Sequence, residues 1–302
     1  MLLKHLNIGD TIGIVSPSSP IEKDIVLKNI QLFKNLGFNI KLGEHIYDKH
    51  GYLSGKDTDR AEDLMNMFID PSIDMILCSR GGYGAMRILP YLDFNIIKNN
   101  PKIFGGFSDI TVLLNHITSK CNFTTFHCPM LSSNFQNIYT LQNFIEPLMN
   151  DFKSYEISNP TFIPLFSKNN AVVEGKLVGG NLSLICSTLG TPYEIDTSSN
   201  ILFLEEVSEA PYKVDRMLTQ LILSGKIEAC SGIILGQFSD CNISETKNNP
   251  SVDEVILDRL LYTDKPIITN LMCGHCDPNL TLPIGAHVRL DCANKLLTVL
   301  KY

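Results

Sequence analysis

Residues 102–116 read KIFGGFSDITVLLNH. An apolar run ends in two glycines and a phenylalanine, and from Asp109 onward apolar residues recur at helical spacing. The stretch therefore reads as a strand, a sharp turn and a helix. DMILCSRGGYGAMR at 74–87 has the same construction, an apolar strand feeding a glycine-rich turn and a short helix. Further upstream, TIGIVSP (11–17) is a β-rich run ended by proline. Ile21, Ile25, Val26, Ile30, Phe33 and Leu36 then recur at helical spacing before Gly37. FNIKL (38–42) is a second strand, and DTDRAEDLMNMFID (57–70) a helix capped by Asp57 or Thr58. Strands alternating with helices imply crossover units and a parallel sheet, an α/β fold. Right-handed crossovers place the loops after the strands along one sheet edge, where ligands bind.

The chain has 302 residues, more than one hydrophobic core usually organises, so two domains are expected. The α/β pattern occupies 1–135. Periodicity weakens over 136–170, a linker region with one helix near LQNFIEPLMNDF (141–152). A second domain, 171–302, carries the strands GKLVGG, ILFLEE, GIILGQF and PIITN. Its helices are read in NLSLICSTLG, YKVDRMLTQLIL and VDEVILDRLLY, and a hairpin turns at Ala293–Asn294.

Composition narrows the function classes. Apolar runs such as GIILGQF fall far short of the roughly 20 residues that cross a bilayer. The formal charge is −7, with Lys and Arg scattered singly, so neither nucleic acid nor an anionic membrane is an expected partner. The N-terminus shows no export signal, and nine cysteines, an odd number, read as reduced thiols in a cytoplasm.

Three strand ends carry reactive side chains. Ser108, at the turn into its helix, is placed to project a hydroxyl beside backbone N–H groups and the positive helix end, or else simply to cap the helix. The turn at Gly81–Gly82 either exposes N–H groups to an oxyanion or is a purely structural tight turn, and it matches no nucleotide fingerprint. In ILFLEE, alternation puts Glu205 and Glu206 on opposite faces, either acid being able to orient a histidine or to sit in solvent. The fourth feature is CGHC at 273–276, the spelling of many thiol-disulfide exchange proteins. A redox CxxC needs a helix after its first cysteine, yet CDPNLTLPIG follows, with two prolines and a glycine. Zinc lacks a second paired ligand cluster, so no metal is expected. His275 remains, structural or catalytic.

In their order and spacing these segments resemble the LD-carboxypeptidase family, the muramoyltetrapeptide carboxypeptidases of bacterial cell-wall recycling. The likeness spans GDTIGIVSPSSP, the stretch from DTDRAEDL to ILPYLD, FGGFSDITVLLNHI, TFHCPM, GGNLSLICSTLGTPYEI, LFLEEVSEAPYKVDRMLTQL and GHCDPNLTLPIG. It implies an N-terminal parallel-sheet α/β domain plus a smaller, strand-rich α/β C-terminal domain. It also implies a serine hydrolase needing no cofactor, with Ser108 as nucleophile, His275 as base and Glu205 as the orienting carboxylate. The oxyanion hole would come from backbone N–H groups of Gly81 or Gly82 and of Asp109. The implied substrate is a murein tetrapeptide losing its terminal D-alanine, in a cytoplasmic homodimer. Arg80 or Arg87, beside the glycine turn, is the candidate clamp for the substrate carboxylate, with Arg80 preferred.

Two departures stand out. Glu205–Glu206 replaces the family's commoner Glu-Asp, and Cys128 stands in HCP where glycine is usual. Rival readings are an immunity hydrolase cleaving a peptidyl-nucleotide antibiotic, a CxxC thiol-disulfide oxidoreductase and a non-catalytic peptide-binding protein. The first often stacks its base on a tryptophan, and this chain has none.

Overall fold

The structure, a computed structural model, describes residues 3–151, 153–242, 249–260 and 262–302. The elements run β1 (Thr11–Val15), α1 (Lys23–Asn35), β2 (Asn39–Leu42), α2 (Asp57–Ile69), β3 (Met75–Cys78), α3 (Ala85–Ile88), α4 (Phe94–Asn99), β4 (Ile103–Gly106), α5 (Thr111–Cys121), β5 (Thr125–His127) and α6 (Ile138–Met149). Then come β6 (Tyr155–Ile157), β7 (Phe166–Lys168), β8 (Val172–Asn181), α7 (Leu182–Thr188), β9 (Ile201–Val207), α8 (Pro211–Leu223), α9 (Lys226–Ala229), β10 (Gly232–Ser239), α10 (Val252–Leu260) and β11 (Ile267–Thr269). The chain closes with β12 (Leu282–Ile284), β13 (His287–Asp291) and β14 (Leu296–Lys301).

These elements form two compact units. The first comprises Met1–Lys153, Asn279–Gly285 and Tyr302. Its six-stranded sheet has the order β12-β5-β4-β3-β1-β2, parallel throughout except for antiparallel β12. The central strands MILC and IFGG are buried at every position, as expected where helices cover both faces of a parallel sheet. Edge strand β2 alternates between half-buried and exposed.

The second unit, Ser154–Pro278 with Ala286–Lys301, is the smaller and holds an eight-stranded sheet ordered β6-β14-β13-β8-β9-β10-β11-β7. Its centre, β8-β9-β10-β11, is parallel, and antiparallel strands flank it on both sides. Leu202 and Leu204 of β9 pack with Val214, Leu218 and Leu221 of α8 and with Ile233 and Leu235 of β10 in one apolar core. The hairpin expected at Ala293–Asn294 is β13–β14.

Residues 136–170 do more than connect. Phe144 and Leu148 of α6 are buried in the first unit's core, where Phe144 meets Phe33 at 5.8 Å and Phe135 at 5.2 Å between ring centroids. The later strands β6 and β7 are edges of the second sheet. Two sequence details differ in their physical role. Lys56, not Asp57 or Thr58, occupies the N-cap of α2, because the Asp57 carboxylate pairs with Arg60 and Arg87 instead. The helix expected over 252–262 spans Val252–Leu260, and Leu261 lies outside the described residues.

Candidate active site

In the first unit the sheet delivers Ser108 at the end of β4. Phe107 is extended, and Ser108 enters a short 3₁₀ turn, Ser108–Ile110, with φ of +63°. A non-glycine residue in the left-handed region carries a cost of about 1–3 kcal/mol that surrounding structure must offset, and such residues cluster at functional sites. The N-cap of this turn is Phe107 and that of α5 is Ile110, so Ser108 does not hold a capping position.

Gly81, in the turn after β3, lies against this serine. A Cβ there would stand 2.9 Å from Ser108 Cβ, 3.0 Å from its Oγ and 3.4 Å from the Asp109 nitrogen. Only a residue without a side chain allows that approach. Gly82 is different, since its missing Cβ would run into Ser19. Asp109, adjacent to Ser108, is 2% exposed. Cys128, the unusual residue of HCP, is accommodated because Gly105 has no side chain: a Cβ on Gly105 would lie 2.6 Å from Cys128 Sγ.

The two candidate arginines separate clearly. Arg87 makes a forked ion pair with Asp57, its Nε donating to Oδ1 and Oδ2 at 3.1 and 3.0 Å and its terminal nitrogen at 2.8 Å. Exposed Arg80 donates only to the carbonyls of Gly81 and Pro20, each at 3.3 Å, and no carboxylate pairs with it among the described residues. Arg80 is therefore the guanidinium available to an anion.

In the second unit, β9 brings Glu205 and Glu206 inward. Glu205 is fully buried, and its Oε2 lies 2.8 Å from His275 Nδ1. A carboxylate at this spot accepts, so Nδ1 carries the proton and Nε2 is the basic nitrogen. Glu205 Oε1 makes no hydrogen bond among the described residues, so the one hydrogen bond of this carboxylate is the one it accepts from the histidine. Glu206 faces the other way and is saturated. It accepts from Asn181 Nδ2 at 2.9 Å, from the Ser183 N–H at 2.8 Å and hydroxyl at 2.7 Å, and from the Val207 N–H at 2.9 Å. Glu206 thus ties β8 and α7 to β9.

The loop carrying His275 is pinned from two sides. The Leu271 N–H donates to the Leu235 carbonyl and the Gln237 N–H to the Cys273 carbonyl, each at 3.1 Å. Asn159 accepts from the Met272 N–H at 2.8 Å and donates to the Asn270 carbonyl at 2.7 Å. Asn159 went unnoticed in the sequence because an asparagine in a Pro- and Asn-rich stretch looks like any solvated loop residue.

The CGHC letters now acquire a physical meaning. Gly274 has φ of +110°, and a Cβ on it would lie 2.5 Å from Glu205 Oε2. Gly274→Ala should therefore strain the loop and push the carboxylate off the histidine, lowering kcat/KM at least ~10-fold, since small misplacements at a site are costly. Steady-state kinetics on folded variant, verified by circular dichroism, checks this.

All nine cysteines are free thiols, and Cys273 is buried. The half-buried Cys276 donates to the Pro278 carbonyl at 3.1 Å. Burial, with the charges of Glu205 and Asp277 nearby, pushes its thiol up to about 12. A redox CxxC attacks through its first cysteine, and Cys273 is fully buried, the setting of an inert thiol. Cys273→Ala with Cys276→Ala should leave activity within about threefold of wild type, as expected of two buried or half-buried thiols without a nucleophilic role; a dead double variant in the same assay would restore the redox reading.

One His–carboxylate cluster of metal-ligating type occurs among the described residues, His45, Asp48 and Asp59, and it contains none of the residues above. No helix among the described residues is long and apolar enough to cross a membrane.

Comparison with known proteins adds to this geometry. Residues 12–128 match the LD-carboxypeptidase N-terminal domain and residues 174–290 the LD-carboxypeptidase C-terminal domain. Ser108 falls in the first match, Glu205 and His275 in the second. A probable murein peptide carboxypeptidase of Bacillus subtilis is 38% identical over 98% of this chain and 93% of its own. The microcin C7 self-immunity protein MccF of Escherichia coli is 28% identical over 99% of this chain and 95% of its own. The crystal structure of a muramoyltetrapeptide carboxypeptidase from Oxalobacter formigenes superposes with a TM-score of 0.85 at 28% identity, covering 97% of this chain and 99% of that one.

Proposed function

The chain belongs to the LD-carboxypeptidase family, and from that premise we propose that it is a serine carboxypeptidase releasing the terminal D-alanine of murein tetrapeptides, with Ser108, His275 and Glu205 as its triad. The observation that carries this reading is the Glu205–His275 pair at 2.8 Å in a chain matching both domains of the family.

His275 Nε2 takes the Ser108 proton as Oγ attacks the scissile carbonyl. Glu205 holds the imidazole in the Nδ1–H tautomer and stabilises the imidazolium that forms. Backbone N–H groups of the Gly81–Gly82 turn and of Asp109 receive the developing oxyanion. As the tetrahedral intermediate collapses, the C–N bond breaks and His275 returns the proton to the leaving D-alanine nitrogen. Water, deprotonated by the same histidine, then hydrolyses the acyl-serine. Arg80 supplies a forked pair of donors to the free carboxylate that marks an exopeptidase substrate. A cytoplasmic location, and a homodimer on the family resemblance alone, complete the proposal.

The test is paired incubation with a murein tetrapeptide and with a peptidyl adenylate. Release of D-alanine from the first supports the assignment. Turnover of the second alone moves the enzyme to the immunity-type activity borne by the name of the E. coli relative.

A further inference from the structure

Ser108 is not the only residue of its turn with an unusual environment. The Asp109 carboxylate is buried, and burial pushes its ionisation upward. Its Oδ2 accepts the Ser18 hydroxyl at 2.6 Å and the Ala85 N–H at 2.7 Å, both on one oxygen. Ser18 belongs to the loop after β1, and Ala85 closes the turn after β3. Other bonds join the same two segments. The Ser19 N–H donates to the Gly81 carbonyl at 3.4 Å, and the Tyr83 N–H to Ser19 Oγ at 3.1 Å. The buried Arg60 guanidinium donates to the Gly84 carbonyl at 2.9 Å and to the Pro17 carbonyl. The glycine turn is therefore held at Gly81, Tyr83, Gly84 and Ala85. Of these anchors, only the one at Ala85 leads directly into the residue bonded to Ser108.

We propose that the Asp109 side chain is a positioning residue for the oxyanion site, locking the Gly81–Ala85 turn to the nucleophile so that turn N–H groups and Ser108 Oγ hold a fixed relative geometry. This rests on the serine-hydrolase reading above and assigns to the carboxylate a task separate from that of the Asp109 N–H. A neutral side chain would serve a merely structural tie, whereas a buried carboxylate is costly to desolvate and contributes little net stability. What the charge adds is two short charge-assisted bonds with little play. Loss of that fixed geometry should appear in the transition state and not in ground-state binding.

The variants are Asp109→Ala, Asp109→Asn, Ser18→Ala and the Ser18→Ala/Asp109→Ala double. Each is followed by kcat and KM for D-alanine release, by affinity for a peptide boronate that forms a tetrahedral adduct on serine, and by the rate of fluorophosphonate labelling. Asp109→Ala should lower kcat by ~100-fold with KM moved less than about threefold, and weaken the boronate by a similar factor. Asp109→Asn should recover only part of this, because an amide oxygen accepts both bonds but without the charge that keeps them short. Ser18→Ala should cost ~10-fold alone and almost nothing further in the double variant, since both remove the same contact. Unchanged kcat in Asp109→Ala, or a loss confined to KM, overturns the proposal. Should Asp109→Ala fail to fold, Ser18→Ala decides by the same criteria. Absence of D-alanine release from wild type would refute the substrate reading instead, and labelling rates across the variants would then decide the role of Asp109.

Discussion

Ser108→Ala is expected to lower kcat for D-alanine release by ~10⁴-fold or more while tetrapeptide binding stays near the wild-type value. The size follows from what the hydroxyl does. In the proposed mechanism it is the atom that becomes covalently bonded to the substrate, so without it His275 would have no proton to take and the two-step route would close. What survives is polarisation of the carbonyl by backbone donors, which supports only a small residual rate above the uncatalysed one. Fold should be preserved. Ser108 sits in a left-handed conformation at φ +63°, and alanine tolerates that region no worse than serine in steric terms. Kinetics alongside calorimetric binding of the tetrapeptide separates lost chemistry from lost recognition; wild-type-like turnover in this variant is incompatible with an acyl-serine mechanism.

The second large effect is at Glu205. Glu205→Gln is nearly isosteric, and the position is fully buried, so the side chain has nowhere to go but its present place beside His275. A glutamine amide can present its NH₂ group to Nδ1. The imidazole then carries its proton on Nε2, the nitrogen proposed to accept the Ser108 proton, and would be in the wrong tautomer to act as that base. The stabilising charge beside the imidazolium is lost as well. A drop of ~10³–10⁴-fold in kcat is expected, with KM little changed, by analogy with the same substitution in an Asp-containing triad. Glu206→Gln offers the contrast. Four donors face that carboxylate, and it orders β8 and α7, so its loss should lower thermal stability more than catalysis. Exchange of these two outcomes would mean the acids had been assigned the wrong way round.

The parallel strands β1–β4 and the strand-end position of Ser108 were legible because these strands are short, mostly apolar runs between helices of clear 3.6-residue pattern, whereas β5, β6 and β7, which read TFH, YEI and FSK, carry no such signal. The Glu205/Glu206 alternation was legible for the same reason: a strand sends successive side chains to opposite faces. Other features had no local signature. β12 is three residues long and contains a proline, and nothing in LPI says that it returns to pair with β5 in the first sheet. Phe144 and Leu148 gave α6 its apolar face, but a helical pattern does not announce which core it joins. Nothing local in the sequence marks Arg60 or the Asp109 side chain as buried, because the carbonyls and hydroxyl that satisfy them come from distant loops. The CGHC motif was misleading in the opposite sense, strong in spelling and silent on geometry. Its glycine makes room for Glu205, its histidine donates the hydrogen bond to that carboxylate, and its cysteines are free thiols.

The central claim is that Ser108 is a nucleophile activated by His275. Its most direct measurement is mass spectrometry of protein treated with a fluorophosphonate, in wild type and in His275→Ala. The account predicts one phosphonyl adduct on the peptide containing Ser108 in wild type, and labelling slowed by orders of magnitude without the histidine. An adduct on another residue, or equal labelling of Ser108 in both proteins, would contradict it.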